Sequence, residues 1–510
     1  MKSSCSPVSF RHSIVFMFFA VFLVAFIAFT GTSVFADTLT VTTDSDDILD
    51  EGSFRYAIQT ATSQDIITFD LDYPAIITLD EQLSIDHGLT IQGPGAELLT
   101  VSGGGKCRVF YIEDTTESVD ISGISIVSGD AEQYEHSSGG GGIFNLSDYL
   151  TVDNCRFSGN YAEIGGGMYN FSSSPEVINC VLNGNIAEDI GSTYGGGIFN
   201  SQSSPKVSSC TFYNNYAISS NFGDSYGGGI ANSDGSNPVV TNCTFSGNMA
   251  KCGGGLYNLS SNPIVTNCTF SLNSADYGGG MYSFNACTPT VTNCIFWDIN
   301  GGEIYIDPDE FSPSIVKLSF CVVQGNDVGN GTISNDIISA DPELELLADN
   351  GGPTWTCALG EGSSAIDSGK SVVSLTTDQR GAPRPFNDGS FDIGAYESGL
   401  EVYEITATCS DGGTISPTEA HSLGNGTEDE VFYLMPAEGY EIETVYVDDV
   451  AIESSEIINN AFTFEDVTAN HSIHADFKPG FDGDGCNITS LPGVGILLML
   501  PLLFLSRKMK

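Results

Sequence analysis

Basic side chains are scarce in this 510-residue chain: 16 Lys+Arg stand against 65 Asp+Glu, a formal charge of −49. A polyanion of that strength repels phosphate backbones, so nucleic acid is not an expected partner. Anionic lipid gains no long-range attraction either. Charge of either sign is sparse, at 16% of residues, while 41% are hydrophobic. That balance excludes a disordered acidic tail, which lacks the apolar residues for a core. Histidine is down to six, with none between positions 137 and 420. The middle of the chain therefore has no imidazole for acid/base work. No Cys-x-x-Cys pair occurs, which removes the common zinc and redox spacings.

Glycine, by contrast, is abundant, with 59 residues, and it comes in clusters among Asn, Ser and Thr. This composition predicts a turn-dense β protein. One unit recurs: Gly-Gly-Gly, an apolar residue, an aromatic, Asn, then polar residues, then an apolar-x-Asn-Cys-x-Phe run. The triplets begin at Gly140, Gly165, Gly195, Gly227, Gly253 and Gly278, and the partner cysteines are Cys155, Cys180, Cys210, Cys243, Cys268 and Cys294. Cys321 is a degenerate seventh. The triplet-to-cysteine distance is nearly constant. Extra residues fall just before the triplet, at Ala187–Tyr194 and Ala217–Tyr226.

A period near 25 residues, with short β-prone runs, predicts an all-β right-handed parallel β-helix over residues 37–335, with the repeats at about 139–325. Coils stack at the strand spacing of ~4.8 Å, and only stacked coils bury their apolar residues. Equivalent positions then form ladders: Phe157, Phe212, Phe245, Phe270 and Phe296 inside, and Asn154, Asn242, Asn267 and Asn293 in a tight bend. About a dozen coils give a monomeric rod of roughly 50–60 Å. Helical repeats are excluded, because triple glycines and β-branched runs would break them. The Gly-Gly-Gly-Ile blocks with Phe157–Asn160, Phe212–Asn215, Phe245–Asn248 and Phe270–Asn273 resemble the chlamydial polymorphic outer-membrane-protein repeat. Leu182 and Phe296 depart from that pattern.

Upstream, Leu39–Thr42, Ile66–Phe69, Ile76–Leu79, Leu89–Ile91 and Val119–Ile126 read as strands. Glu51–Ile58 reads as a short amphipathic helix capping the first coil, since an open β-helix end would recruit other chains. Downstream, residues 336–398 carry Asp341-Pro342, Leu347–Thr354, Ala365–Gly369, Asp378–Gly381, Arg384-Pro385 and Asp392–Glu397 in order. They resemble the choice-of-anchor domain that follows β-helices, which implies a cap finishing the helix; the Asp and Arg residues read as buried pairs rather than a site. Residues 400–478 alternate in Val431–Leu434, Ile442–Val447, Ala461–Phe464 and Ser472–Phe477, and resemble the divergent internalin B-type repeat, a small β module.

Both ends read as targeting segments. Residues 1–36 have a basic start at Lys2 and Arg11 and an apolar run from Ile14 to Phe29, a signal peptide cleaved between Ala36 and Asp37. That run is shorter than the ~20 residues of a usual span. Residues 479–510 combine a Gly/Asp-rich hinge with Cys486, an apolar stretch from Leu491 to Leu505, and the basic end Arg507-Lys508-Met509-Lys510. They resemble the Cys-containing C-terminal sorting signals of bacterial surface proteins (the Synergistetes and myxobacterial types), which implies that Cys486 marks the processing or lipidation region. The body is thus expected outside the cytoplasm, at the cell surface, attached to a membrane through the tail.

Export of a chain with 14 cysteines normally argues for disulfides. Seven of these, however, occupy one position in successive coils, where parallel side chains suit a bridge poorly. A ladder of packed thiols is expected, with disulfides between adjacent coils as the alternative. For chemistry the coils offer only Arg156, Lys206, Lys251 and Lys317 as bases between 139 and 321, with scattered acids. The acids at Glu188-Asp189 and Asp307-Pro308-Asp309-Glu310 read as solvated loops. No catalytic, cofactor-binding or metal residue is assigned; Asp44–Asp47 and Asp482–Asp484 attract Ca²⁺ only generically, because loop spacings are missing. The sequence reading is a structural or adhesive surface protein that contacts extracellular glycans or surface proteins. Tyr161, Tyr194, Tyr213, Tyr216, Tyr226 and Tyr277 lie near the insertions. Polysaccharide lysis or hydrolysis is the alternative, since the fold hosts both.

Overall fold

A computed structural model describes residues 36–480, apart from 135–137, 221–222, 298, 309–310, 329–331, 373–374, 386–389, 400–401, 417–420, 425–429, 438, 449, 453–456, 458–459, 465–466 and 468. Two compact units are distinguished. The second holds Ala407–Thr418, Phe432–Phe462 and Ser472 onward, and nearly all the rest belongs to the first.

The first unit is the expected parallel solenoid. Its main sheet has 21 strands, from Thr38–Val41 to Ile333–Ile338, and a second face has nine, from Leu83–Ile85 to Ile304–Ile306. Every pairing between coils is parallel and in register. Phe212 aligns with Phe245, Phe245 with Phe270, and Phe270 with Phe296. Those four rings stack at centroid spacings of 4.6 Å with nearly parallel planes. The predicted internal ladder is therefore present, interrupted by Leu182, which pairs with Phe157 and Phe212 in the same register.

The main sheet carries two strands per coil because one residue turns the chain between them. Asn154, Asn179, Ser209, Asn242, Asn267 and Asn293 all sit at φ of 50–53°. Asn tolerates this left-handed region better than other residues with a side chain. The upstream run Val119–Ile126 is likewise split, into Val119–Ser122 and Ser125–Val127, by Gly123 at φ 63°. The expected amide ladder at this bend is partial: Asn293 Nδ2 donates to Asn267 Oδ1 at 2.9 Å and Asn267 Nδ2 to Asn242 Oδ1 at 3.3 Å, whereas Asn179 turns to Asp153. Fuller ladders form at the two other Asn positions of the repeat, one of them at Asn145, Asn170, Asn200, Asn232 and Asn258 after the outward position. Asn160, Asn185, Asn215, Asn248 and Asn273 are fully buried, and each Nδ2 donates to the next Oδ1 at 2.9 Å up to Asn273. The triplets permit close stacking: Gly195 takes φ 67°, and a Cβ on Gly196 would lie 2.5 Å from Tyr216 N.

The capping helix is Phe54–Thr60, with Ser53 Oγ accepting the Tyr56 N–H and Phe54, Ala57 and Ile58 buried. It begins later than expected because Ser53 supplies the N-cap. Phe54 meets Phe69 and Phe110 edge-on at 5.1 and 6.3 Å.

Where a cap was expected, the described parts of residues 341–397 run along the flank of the stack. Thr354 Oγ1 donates to Ser209 O, Gln379 Nε2 to Thr211 Oγ1, Asn242 Nδ2 to Thr377 O, and Asn293 Nδ2 to Lys370 O. With the Ala395 N–H donating to Thr269 Oγ1, the segment takes up polar groups at corners of four successive coils. Its own interior is the expected buried network. Arg380 pairs with Asp378 at 2.8 Å and lies 3.7 Å over Tyr396, and Arg384 lies 3.5 Å from Glu397.

The small C-terminal module has two sheets, one ordered His421–Gly424, Val402–Cys409, His471–Pro479, Tyr440–Val447, Val450–Ala451, the other Gly413–Ser416, Glu430–Pro436, Ala461–Phe464. Val402–Cys409 pairs with His421–Gly424, Gly413–Ser416 with Glu430–Pro436, and Tyr440–Val447 with Val450–Ala451 and His471–Pro479, all antiparallel.

Candidate functional site

Strand alternation builds an outer surface as regularly as the core. In Ile198-Phe199-Asn200 the first and third side chains enter the solenoid and the second faces out. In register, Tyr111, Phe144, Tyr169, Phe199, Ala231, Tyr257, Tyr282 and Tyr305 occupy that outward position across eight coils. Alanine would break the row at 231. Instead Tyr226, from the longer preceding segment, lies 4.9 Å from Tyr194 and 4.6 Å from Tyr257. Tyr194 in turn stacks on Phe199 at 5.2 Å. Nine rings thus form one seam, with neighbours 4.6–5.5 Å apart.

The insertions that carry Tyr194 and Tyr226 are strands. Ile186–Asp189 pairs with Tyr216–Ser219, and Thr193–Tyr194 with Ser225–Tyr226. Extra residues in adjacent coils therefore stack on one another like the coils themselves, and deliver their tyrosines onto the seam.

Carboxylates edge it. Asp224 accepts from Tyr226 Oη at 3.3 Å and pairs with Lys251; Asp307 accepts from Tyr282 Oη at 2.5 Å; Asp234 accepts from Ser201 and Ser233 hydroxyls. Burial pushes the phenol ionisations upward, reinforced by Asp224 at Tyr226 and by Asp307 at Tyr282: Tyr169 rises to about 12, and Tyr226, Tyr257 and Tyr282 rise further. The phenols are thus neutral donors at physiological pH, beside anionic acceptors.

The two ends of the seam differ. At Tyr111 the guanidinium of Arg108 lies 5.6 Å from that ring, 4.6 Å from Tyr134 and 5.1 Å from Phe144, and donates to Gly139 and Gly140 carbonyls. At the far end Tyr305 stacks on Tyr282 and lies 5.2 Å from Tyr277. Beyond it opens a cavity of about 240 Å³ lined by Gly301, Gly302, Ile304, Tyr305, Ile306, Pro308 and Asp327. A Cβ on Gly302 would lie 3.0 Å from Asp327 Oδ2, so glycine leaves room for that carboxylate. An aromatic ring, two isoleucines and an exposed carboxylate share one concave space.

Of the six tyrosines singled out by sequence, Tyr194, Tyr226 and Tyr277 meet on the seam. Tyr161 and Tyr216 start the short strands before the triplets, and Tyr213 lies 6.3 Å from Trp355 on the flank. The rings missed by sequence were Tyr111, Phe144, Tyr169, Phe199, Tyr257, Tyr282 and Tyr305. Their signal was the aromatic one place after the inward apolar residue. Glu188 and Asp189 precede a triplet, whereas Asp307 follows a strand of the second face, so the two acidic groups are not brought together; Asp309 and Glu310 lie outside the described residues. A second cavity, of about 250 Å³, is lined by residues that include Asp148, Tyr149, Glu176 and Lys206. Glu176 and Lys206 pair across it at 3.0 Å.

Among the described residues no cluster of three metal-ligating side chains occurs. Asp46 pairs with Arg55, and Asp47 accepts the Leu49 N–H; Asp482 and Asp484 lie outside the described residues. The twelve described cysteines are free thiols, all buried except Cys409. In the seven-rung ladder, Cys180 N–H points at Cys210 Sγ and Cys268 N–H at Cys294 Sγ. Burial raises the Cys180, Cys210 and Cys294 thiols well above their ordinary range. Ala36 and Asp37 begin the described chain, both exposed; Cys486, the apolar run at 14–29 and the tail from 481 lie outside it. No described helix is long and apolar enough to cross a membrane.

Comparison with known proteins agrees with this architecture. Residues 87–251 and 217–339 match the family described as a right-handed β-helix region. A search of curated proteins returns no match. Among solved structures, the chain is similar to pectate lyase Pel9A at 13% identity, covering 72% of this chain and 97% of that one, with a TM-score of 0.43. It is similar to the PL6-family alginate lyase AlyGC at 11% identity, covering 73% of this chain and 61% of that one, with a TM-score of 0.30. Stacked in-register coils, internal ladders and the family match lead to one statement: the chain is a right-handed parallel β-helix protein.

Proposed function

We propose that this is an exported, surface-attached β-helix that binds neutral polysaccharide, with an adhesive rather than catalytic role. The observation carrying the proposal is the end of the aromatic seam, where Tyr305 and Asp327 share a cavity. Stacked rings within the seam turn their faces to one another, so sugar stacking belongs at its end. There a pyranose ring finds an apolar face for its C–H groups and a carboxylate for its hydroxyls. The volume suits a single sugar ring rather than several. The acids along the seam and the net charge of −49 disfavour acidic polymers. The leader-like start and the basic-ended tail supply the export and attachment parts of the proposal.

A second reading, polysaccharide cleavage, is favoured by the other cavity. There Asp148, Glu176 and Lys206 gather carboxylates and one cation on the main sheet. One experiment separates the two. The processed chain is immobilised and exposed to neutral and acidic polysaccharides with and without Ca²⁺, and both retention and release of reducing or unsaturated ends are recorded. Retention of a neutral polymer without product is expected. It should weaken about tenfold in Tyr305→Ala and in Asp327→Asn, equivalent to about 1.4 kcal/mol. Product formation that disappears in Lys206→Ala would overturn the binding proposal.

A further inference from the structure

The backbone of Asp37 has its own receptor in the fold. Asp65 is a buried carboxylate at the start of the second strand, only 3% exposed. Its Oδ2 accepts the Thr62 N–H and hydroxyl at 2.7 and 2.9 Å. Its Oδ1 accepts the backbone N–H of Asp37 at 2.8 Å. On the other side of the same residue, the Asp37 carbonyl accepts the Ile66 N–H at 2.9 Å. The backbone of Asp37 is thus held at both polar atoms, immediately before Thr38 joins the first strand. Ala36 and Asp37 are exposed.

We propose that hydrolysis of the Ala36–Asp37 bond creates an ion pair, in which the new α-ammonium of Asp37 docks on the Asp65 carboxylate. A signal-type peptidase adds water across the bond. The hydroxyl goes to the Ala36 carbonyl carbon, and the amide C–N bond breaks. The Asp37 nitrogen then carries the charge as an ammonium, and the Ala36 carboxylate departs with the leader. A neutral amide donor becomes a charge-assisted one without moving, and such bonds are roughly twice as strong. Leader removal then tightens the first coil, the point where an open β-helix edge is most exposed.

The pH signature follows from the groups around the pair. The Asp65 carboxyl already lies below its ordinary range, through the Thr62 and Asp37 N–H groups and, in smaller part, His87. His87 bonds Asp86, and Glu117 holds Ser63 and the Gly88 N–H nearby. The docked ammonium is raised above the usual α-amino value of about 7.7–8.0. Its contribution is therefore full below that value and lost as pH rises through the raised one. The Asp65 contribution is full above about 3.9 and lost as pH falls through its lowered value.

The test compares two forms of the chain through Lys510, one beginning at Asp37 and one keeping Ala36. At pH 6.5 the first is expected to melt about 2–4 °C higher. The gap should close above about pH 9 and below about pH 3, and vanish at every pH in Asp65→Asn. Should Asp65→Asn fail to fold, N-terminal acetylation of the Asp37 form abolishes the same charge and should close the gap. Terminal sequencing of the exported protein should read Asp37 first. Equal melting of the two forms at pH 6.5, or a mature chain beginning elsewhere, would overturn the proposal.

Discussion

At the scale of single residues, stability rests on buried polar groups that find partners only in the stacked state. Asn215 donates to Leu182 O and to Asn248 Oδ1 while its own Oδ1 accepts from Asn185. Asn215→Ala removes one rung and leaves groups of two neighbours unsatisfied, an expected loss of about 1–3 kcal/mol in denaturant titration. Arg380→Ala strips the guanidinium from buried Asp378 and should cost about 3–5 kcal/mol by the same measurement. Thiol reactivity offers a check on the cysteine ladder. Of the twelve described cysteines only Cys409 is exposed, so maleimide mass labelling of the folded protein should modify it and spare the eleven buried ones until denaturant is added. The corner asparagines were readable from the repeat, since Asn favours a left-handed single-residue turn. The more complete ladder at Asn160–Asn273 was not, because three asparagines recur per coil and periodicity alone does not say which ones are enclosed.

At the scale of elements, the internal phenylalanine ladder and the outer seam are two outcomes of one alternation. Leu182 already replaces one ring in the ladder. Phe245→Leu is therefore expected to lose about 1–1.5 kcal/mol, against about 3–5 for Phe245→Ala, where a cavity opens between two stacked rings. The outer seam has an alkaline signature. The phenols of Tyr169, Tyr194, Tyr226, Tyr257, Tyr282 and Tyr305 titrate above their unfolded value of about 10, so the folded state holds protons that the unfolded state releases. Stability should be unaffected below about pH 10 and decline above it. Phenolate absorbance at 295 nm should show a late group of tyrosines that titrates only as the protein unfolds. Sequence identified the members that come from insertions, because those residues broke the period. It missed the members that obeyed the period, because an aromatic repeated in every coil looks like core.

At the scale of the whole molecule, the charge of −49 acts as a uniform load. Coils stack at ~4.8 Å, so acids scattered over neighbouring coils lie inside the Debye length of about 10 Å at 0.1 M salt. Raising NaCl from 10 to 300 mM should therefore raise Tm by several degrees, and a flat or falling profile would show that local pairing cancels the repulsion. The flank segment 341–397 adds a non-repeating strap to a repeating stack. Thr354 Oγ1 donates to Ser209 O, and the Thr377 and Lys370 carbonyls accept from the corner side chains of Asn242 and Asn293. Thermal unfolding of those coils should accordingly be coupled to loss of the strap.

What the sequence by itself determined is whatever repeats. A fixed distance from glycine triplet to Asn-Cys-x-Phe sets coil length, strand alternation sets which side chains enter, and glycine and asparagine set where the chain turns. Each follows from local backbone sterics copied coil after coil. The tertiary structure alone decided what does not repeat. Tyr226 fills the space left by Ala231, the flank segment lies along the corners, Tyr305 and Asp327 share a cavity, and Asp65 receives Asp37. Those contacts join residues with no common period, so only packing in three dimensions selects them.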